Sequence, residues 1–249
     1  IGDHVLHLDF LSARPAVPMS VSAQAVVTDV NRQAWAASST LLVHPAEAYV
    51  GLKVARPYVD QGTPIDLSVI GVDLDGAPAP GAPIEVRAVR LDWTYQRGSY
   101  VEKELDPQTC TLVAGKDPLA CQFATKEGGT YQITATILDR AGRANQSKLT
   151  VWVSGGDTPP MRDLAQEKVN LIPDKKEYQP GDVAELLIQA PFAPAEGVVS
   201  WRRSGILETQ RVSLSGPTLA IRVPIAEAHV PNLVVQVDLV GQADRVDGQ

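Results

Sequence analysis

Between residues 129 and 153 apolar and polar positions alternate in two runs. Tyr131, Ile133, Ala135 and Ile137 fall on one side of the first run, and Leu149, Val151 and Val153 on one side of the second. The polar turn Asp139-Arg-Ala-Gly142-Arg separates them. A period of two around a Gly-containing turn predicts a β-hairpin with one buried face. The same pattern occurs at 21–43. When Asp29 is set on Asp139, an offset of 110 residues, Val27 meets Ile137, Ala25 meets Ala135, Leu41 meets Val151 and Val43 meets Val153.

A repeat of that length fits about one small β-sandwich per period. The fold class is therefore all-β, a tandem array of antiparallel β-sandwich domains of immunoglobulin or fibronectin size. Residues 1–48 hold strand patterns at 5–10, 21–27 and 40–43, too few for a sandwich, and are expected to be the C-terminal part of a domain. Residues 49–155 carry eight strand patterns, at 50–54, 65–72, 84–89, 100–105, 109–113, 121–124, 131–138 and 148–153, and are expected to form a complete domain. Asp73-Leu-Asp-Gly76-Ala-Pro78-Ala-Pro80-Gly81-Ala-Pro83 breaks the series with turn formers that no sheet continues through. Gly155-Gly156 and Pro159-Pro160 mark 156–167 as a linker. Residues 168–249 form a third unit, with strands expected at 169–172, 183–189, 198–203, 209–214, 218–223 and 233–240, lacking the second arm of a closing hairpin.

Composition narrows the function classes. A net charge of −7 and a pI near 5.1 give no basic surface for phosphate, so nucleic acid is not expected as a partner. No apolar run approaches the roughly 18 to 20 residues that cross a bilayer. Cys110 and Cys121 flank a segment with turn residues at its centre and strand-like ends, an arrangement suited to a local disulfide closing a hairpin loop. Such a bond would point to an oxidising compartment. The alternative is two unrelated buried thiols.

Enzymatic signatures are missing: no Gly-x-Ser-x-Gly, His-Glu-x-x-His, Walker loop or dinucleotide fingerprint occurs. The chain is not expected to be an enzyme, and no catalytic, metal or cofactor site is assigned. His4 and His7 would point to opposite faces of a strand, and His44 and His229 are remote from them. Asp73-x-Asp75-Gly76 resembles part of a calcium loop, but position twelve is Ile84, where a bidentate Glu is needed, so a plain turn is expected. Glu102, Glu104 and Asp106 alternate along one strand and read as a solvated face rather than an acid–base pair. Trp93, Tyr95, Trp152 and Trp201 read as core or interface filling rather than as a sugar platform. Asn145-Gln-Ser147 satisfies a glycosylation sequon, expected on a turn.

One segment is more specific. Val169-Asn-Leu-Ile-Pro173-Asp174-Lys-Lys-Glu-Tyr178-Gln-Pro180-Gly181-Asp182-Val-Ala184-Glu-Leu186-Leu-Ile188 has Pro173 and Pro180-Gly181 bracketing a strand and turn, a Tyr178 ring to pack over a sandwich end, and three alternating core positions. A looser copy is Tyr58-Val-Asp-Gln-Gly62-Thr-Pro-Ile65-Asp-Leu67. These residues resemble the opening of a macroglobulin-like domain of the bacterial alpha-2-macroglobulin family, and the hairpins at 21–43 and 129–155 resemble its domain-to-domain joins. The resemblance covers nearly the whole chain. It implies a periplasmic, cell-envelope or secreted protease inhibitor, in which a bait segment is cut, the chain rearranges, and in many members a Cys-x-x-Gln thioester captures the protease. Here Val113 follows three residues after Cys110 and Ala124 three after Cys121. No long low-complexity run suggests a bait. The resemblance thus implies a scaffold segment without thioester or bait region. Its partners would be the remaining domains of the parent chain, target proteases met through the full-length protein, and peripherally the envelope. The alternative is an Ig-like adhesin or binding array.

Overall fold

The computed structural model describes residue 5 and residues 16–96, 99–155 and 168–241, the side chains of 93 and 95–100 excepted. The strand expected at 5–10, the 156–167 connection and the tail after 241 lie outside the described residues.

The repeat is realised down to its register. Strand β1 (Met19–Thr28) pairs antiparallel with β2 (Ala34–Val43), Val21 opposite Leu41 and Val27 opposite Trp35. Strands β9 (Gly129–Leu138) and β10 (Ala144–Val153) repeat those pairs 110 residues on, Tyr131 opposite Val151 and Ile137 opposite Asn145. The turns match as well. Asp29 Oδ1 accepts the N–H groups of Asn31 and Gln33, as Asp139 Oδ1 accepts those of Ala141 and Arg143. The fourth turn residue is left-handed in both, Arg32 at φ 63° and Gly142 at φ 75°. The Asp73 turn is a third copy: its Oδ1 accepts from Asp75 and Ala77, and Gly76 has φ 82°. That carboxylate oxygen is committed to backbone, so Asp73 builds a turn.

Between the hairpins the chain forms β3 (Ala48–Val54), β4 (Tyr58–Val59), β5 (Ile65–Asp73), β6 (Pro83–Gln96), β7 (Ser99–Val113) and β8 (Leu119–Phe123). One sheet runs β4-β10-β9-β6-β7 and the other β3-β5-β8. Ile65, Leu67, Val69 and Phe123 of the small sheet close with Ile84, Val86, Tyr131, Ile133 and Ile137 of the large one into a single core. The two strands expected at 100–105 and 109–113 are one. Asp106 and Pro107 form a bulge opposite Val89, with Asp106 at φ 49°, so the pairing with β6 resumes beyond the proline.

Cys110 and Cys121 are bonded, with Cα atoms 6.3 Å apart, but no hairpin joins them. Strand β7 is the edge of the large sheet and β8 the edge of the small one, so the bond staples the open side of the sandwich. The turn 115–118 carries the chain across to the other sheet instead of back along β7. Beside the disulfide, the Gln108 amide binds the Ala124 backbone both ways, donating to its carbonyl at 2.9 Å and accepting from its N–H at 2.8 Å.

The third unit contains β11 (Asn170–Pro173), β12 (Val183–Gln189), β13 (Ala195–Arg202), β14 (Ile206–Leu214), β15 (Thr218–Pro224) and β16 (Val234–Gly241). Its sheets, β11-β12-β15 and β14-β13-β16, enclose a separate core around Leu186, Ile188, Val199, Trp201, Leu214 and Ile221. No helix among the described residues is long and apolar enough to cross a membrane.

Candidate functional site

The polar chemistry of the third unit converges on its opening segment. Asp174 is buried, and its Oδ1 accepts the Tyr178 hydroxyl at 2.7 Å and the Glu185 N–H at 2.8 Å, while its own N–H donates to the Glu185 carbonyl at 2.9 Å. Burial works to raise the Asp174 pKa, and the Tyr178 and Glu185 donors outweigh it, so the carboxyl is held low. Tyr178 returns a bond from its oxygen by accepting the Lys175 N–H at 3.0 Å. Pro180-Gly181 then makes a tight turn. Gly181, at φ 98°, donates its N–H to the Ile225 carbonyl just beyond β15, and in the looser copy Gly62, at φ 86°, donates in the same way to Thr125 just beyond β8. Pro173 ends β11 at the start of this network.

The preceding unit meets it there. Glu185 Oε2 lies 2.7 Å from Arg56 Nη1, and its Oε1 lies 3.1 Å from Arg222, its cross-strand neighbour on β15. Tyr58, next to Arg56, is buried, and its hydroxyl has no hydrogen-bond partner. Burial first, then the Glu185 and Asp174 carboxylates, push the Tyr58 hydroxyl up to about 12; burial and the bond to Asp174 push Tyr178 up to about 12. These groups are all locked in place or neutral near pH 7. The arrangement joins units and offers no acid, base or nucleophile poised for reaction.

A second polar join lies at the other end of the middle unit. Asp139 Oδ2 accepts the Glu47 N–H at 3.0 Å and the Arg143 guanidinium at 2.8 Å, and Arg143 reaches Glu47 Oε1 at 2.8 Å. Burial works to raise the Asp139 pKa and is outweighed by the Glu47, Arg143 and Ala141 donors, which bring it down to about 2. The segment between β2 and β3 is thus gripped by the apex of the β9–β10 hairpin. The alignment of Asp139 with Asp29 is the sequence signal that marks this residue.

Other candidates disperse. Glu104 is bound by Arg87 at 2.7 Å and Asp106 by Arg90 at 3.0 Å; the Arg87 guanidinium holds Glu104 below its usual range, opposite to what a general acid needs. Glu102 is exposed on the same strand. Trp201 is buried in the third core, Trp152 is half-buried on β10, and the side chains of Trp93 and Tyr95 lie outside the described residues. His44 bonds Tyr49 at 2.6 Å and His229 accepts the Ala226 N–H at 3.1 Å, while His4 and His7 lie outside the described residues. Among the described residues no group of three or more His, Cys, Asp or Glu could hold a metal ion. The sequon is not on a turn. Asn145 is buried on β10 with its Oδ1 accepting the Val50 N–H at 3.2 Å, and Ser147 donates to the Val50 carbonyl at 2.6 Å. Both share the parity of Leu149 and Val151, which is the signal for a core-facing position.

Residues 169–248 match the family model described as the alpha-2-macroglobulin bait region domain. An alpha-2-macroglobulin homolog from Nostoc sp. is 24% identical over 238 residues, 92% of this chain and 12% of that protein. Both similarities point to the alpha-2-macroglobulin family. Among solved structures, the native conformation of the E. coli alpha-2-macroglobulin is similar at 19% identity, covering 92% of this chain and 17% of that one with a TM-score of 0.38. A Salmonella alpha-2-macroglobulin mutant is similar at 17% identity over 91% and 17%, with a TM-score of 0.37. The chain spans about an eighth of the length of the Nostoc relative. The expectation that it carries no bait region is not upheld, because the third unit is what the bait-region family matches. A search for low-complexity sequence misses it: the match falls on a folded sandwich.

Proposed function

We propose that this chain is a scaffold segment of a bacterial alpha-2-macroglobulin-like protease inhibitor, a bait-and-trap protein that a protease cuts and is then enclosed by. It contributes rigid β-sandwiches and at least part of the bait-region domain, and no catalysis. The observation that carries this reading is the match of 169–248 to the bait-region family, which falls on the unit whose strand order repeats that of the unit before it. Neither cysteine begins a Cys-x-x-Gln, so thioester capture, where the parent uses it, resides elsewhere in the parent chain. The bonded Cys110–Cys121 pair supports a periplasmic, envelope or secreted location. Of the tryptophans weighed for an adhesin surface, Trp201 lies in a core and Trp152 is half-buried.

The test uses the full-length parent protein with trypsin. The expected result is a protease that no longer digests a large protein substrate but still hydrolyses a small peptide, with a cut in the parent's bait region. Undiminished digestion of the large substrate overturns the reading. Thiol titration of the unfolded, unreduced protein tests the location: two reactive thiols would contradict an oxidising compartment.

A further inference from the structure

The contact between the second and third units is small, but its chemistry is specific. Arg56 and Tyr58 stand on the β3–β4 connection and β4 of the second unit, at the end where β10 leaves that unit: the Trp152 N–H donates to the Pro57 carbonyl at 3.0 Å and the Ser154 N–H to the Val59 carbonyl at 2.9 Å. Across the join, Glu185 divides its carboxylate between two guanidinium groups, Arg56 from the second unit and Arg222 from the third. Its backbone is fixed by two bonds to Asp174, which Tyr178 fixes in turn. The seat of Glu185 is therefore held by bonds within the third unit itself. The carboxylate is oriented by a strand neighbour, and Tyr58 adds a ring buried to 4% exposure.

We propose that Arg56, Tyr58 and Glu185 form a latch that holds the second and third units at one relative orientation. The Asp174–Tyr178 network supplies the rigid seat. This gives the opening motif of the third unit a role beyond its own fold: it receives the preceding unit. An exposed ion pair by itself is weak and screened by salt. Here the two units are tethered by a short stretch of chain, which places them at a high effective concentration, so a modest contact shifts the balance between docked and undocked arrangements severalfold. Tyr58 is buried close to the Glu185 and Asp174 carboxylates, so its ring supplies the packing at the join. The latch is independent of the protease-trap reading and stands or falls separately.

Single-molecule energy transfer on the chain tests it, with dyes on Lys116→Cys and Gln210→Cys, both exposed and far in sequence from the join, and the native disulfide left intact. The native chain should give one narrow distance distribution that broadens in high salt. Arg56→Ala and Glu185→Gln should broaden it severalfold in the undocked population at low salt, and Tyr58→Ala further still, while Tyr58→Phe leaves it unchanged. Arg222→Ala should act more weakly, because it only orients Glu185. Arg56 is half-exposed, so its removal leaves both sandwiches folded, which circular dichroism checks. A distribution unaltered by Arg56→Ala and Glu185→Gln in folded chains overturns the latch.

Discussion

The second and third units are built on one plan and differ in how they close it. Strands β3-β5-β8 correspond to β11-β12-β15, and β9-β6-β7 to β16-β13-β14. In the second unit the closing strand β9 lies between β6 and β10, and Tyr131, Ile133, Ala135 and Ile137 are at most 1% exposed. In the third, β16 has only β13 beside it among the described residues, and Val235, Val237 and Leu239 stay half-buried. The second unit also has a disulfide across its open side. Equal alternation in sequence thus yields unequal burial in these two closing strands: β9 is flanked by β6 and β10, and β16 by β13 alone among the described residues.

The strongest way to sharpen this contrast is to cut into matching strands. Ile133→Ala opens a cavity in a closed core and should destabilise the second unit by about 4 kcal/mol. Val237→Ala on β16 removes less side chain from a half-buried site and should cost about 1 kcal/mol. Denaturant unfolding followed by hydrogen exchange of the two units separates the losses. Similar costs at the two sites would mean that β16 is as well sealed as β9.

Next in size is the staple. Replacing Cys110 and Cys121 with Ala frees an 11-residue separation in the unfolded chain and should cost about 3 kcal/mol, confined to the second unit. Loss of equal size in the third unit would show the two to unfold as one. This bond also marks the limit of what the sequence told. Hairpins, strands and their parity were legible because a two-faced strand must alternate, and β12 spans Val183–Gln189 as that parity predicts. Where the chain goes between strands is not written in parity: a turn after Val113 suits a return along β7 as well as a crossing to the other sheet. Likewise, alternation puts Glu185 on the outward face, but only the approach of the preceding unit brings Arg56 to it. The bait-region match was invisible for a different reason, since nothing in periodicity separates one sandwich from another.

The two Asp turns allow a finer comparison. Asp139→Ala leaves the Glu47, Ala141 and Arg143 N–H groups without an acceptor at a partly buried site and should cost about 2 kcal/mol. Asp29→Ala, at an exposed turn, should cost about 0.5 kcal/mol. The sign with pH follows from the folded value of about 2 against the ordinary 3.8 for Asp139. A depressed carboxyl contributes its stability fully above 3.8 and loses it as pH falls through about 2. The difference between the native chain and Asp139→Asn should therefore shrink across that window, as read by denaturant midpoints. A difference that grows on acidification would place the carboxyl in some other arrangement.

The smallest effect lies at the fourth turn position, where the two hairpins differ in a single choice. Gly142 occupies the left-handed region at φ 75°, and a Cβ there would meet no atom within 4 Å. Gly142→Ala therefore meets only backbone cost, about 1 kcal/mol. Arg32 already bears that cost at φ 63°. Arg32→Gly relieves the strain but enlarges the freedom of the unfolded chain, so the net gain should be about 0.5 kcal/mol. Amides along β1 and β2 should exchange about twofold more slowly, and those of β9 and β10 should not change. An effect of opposite sign would mean that the Arg32 side chain contributes more to the turn than its backbone strain removes.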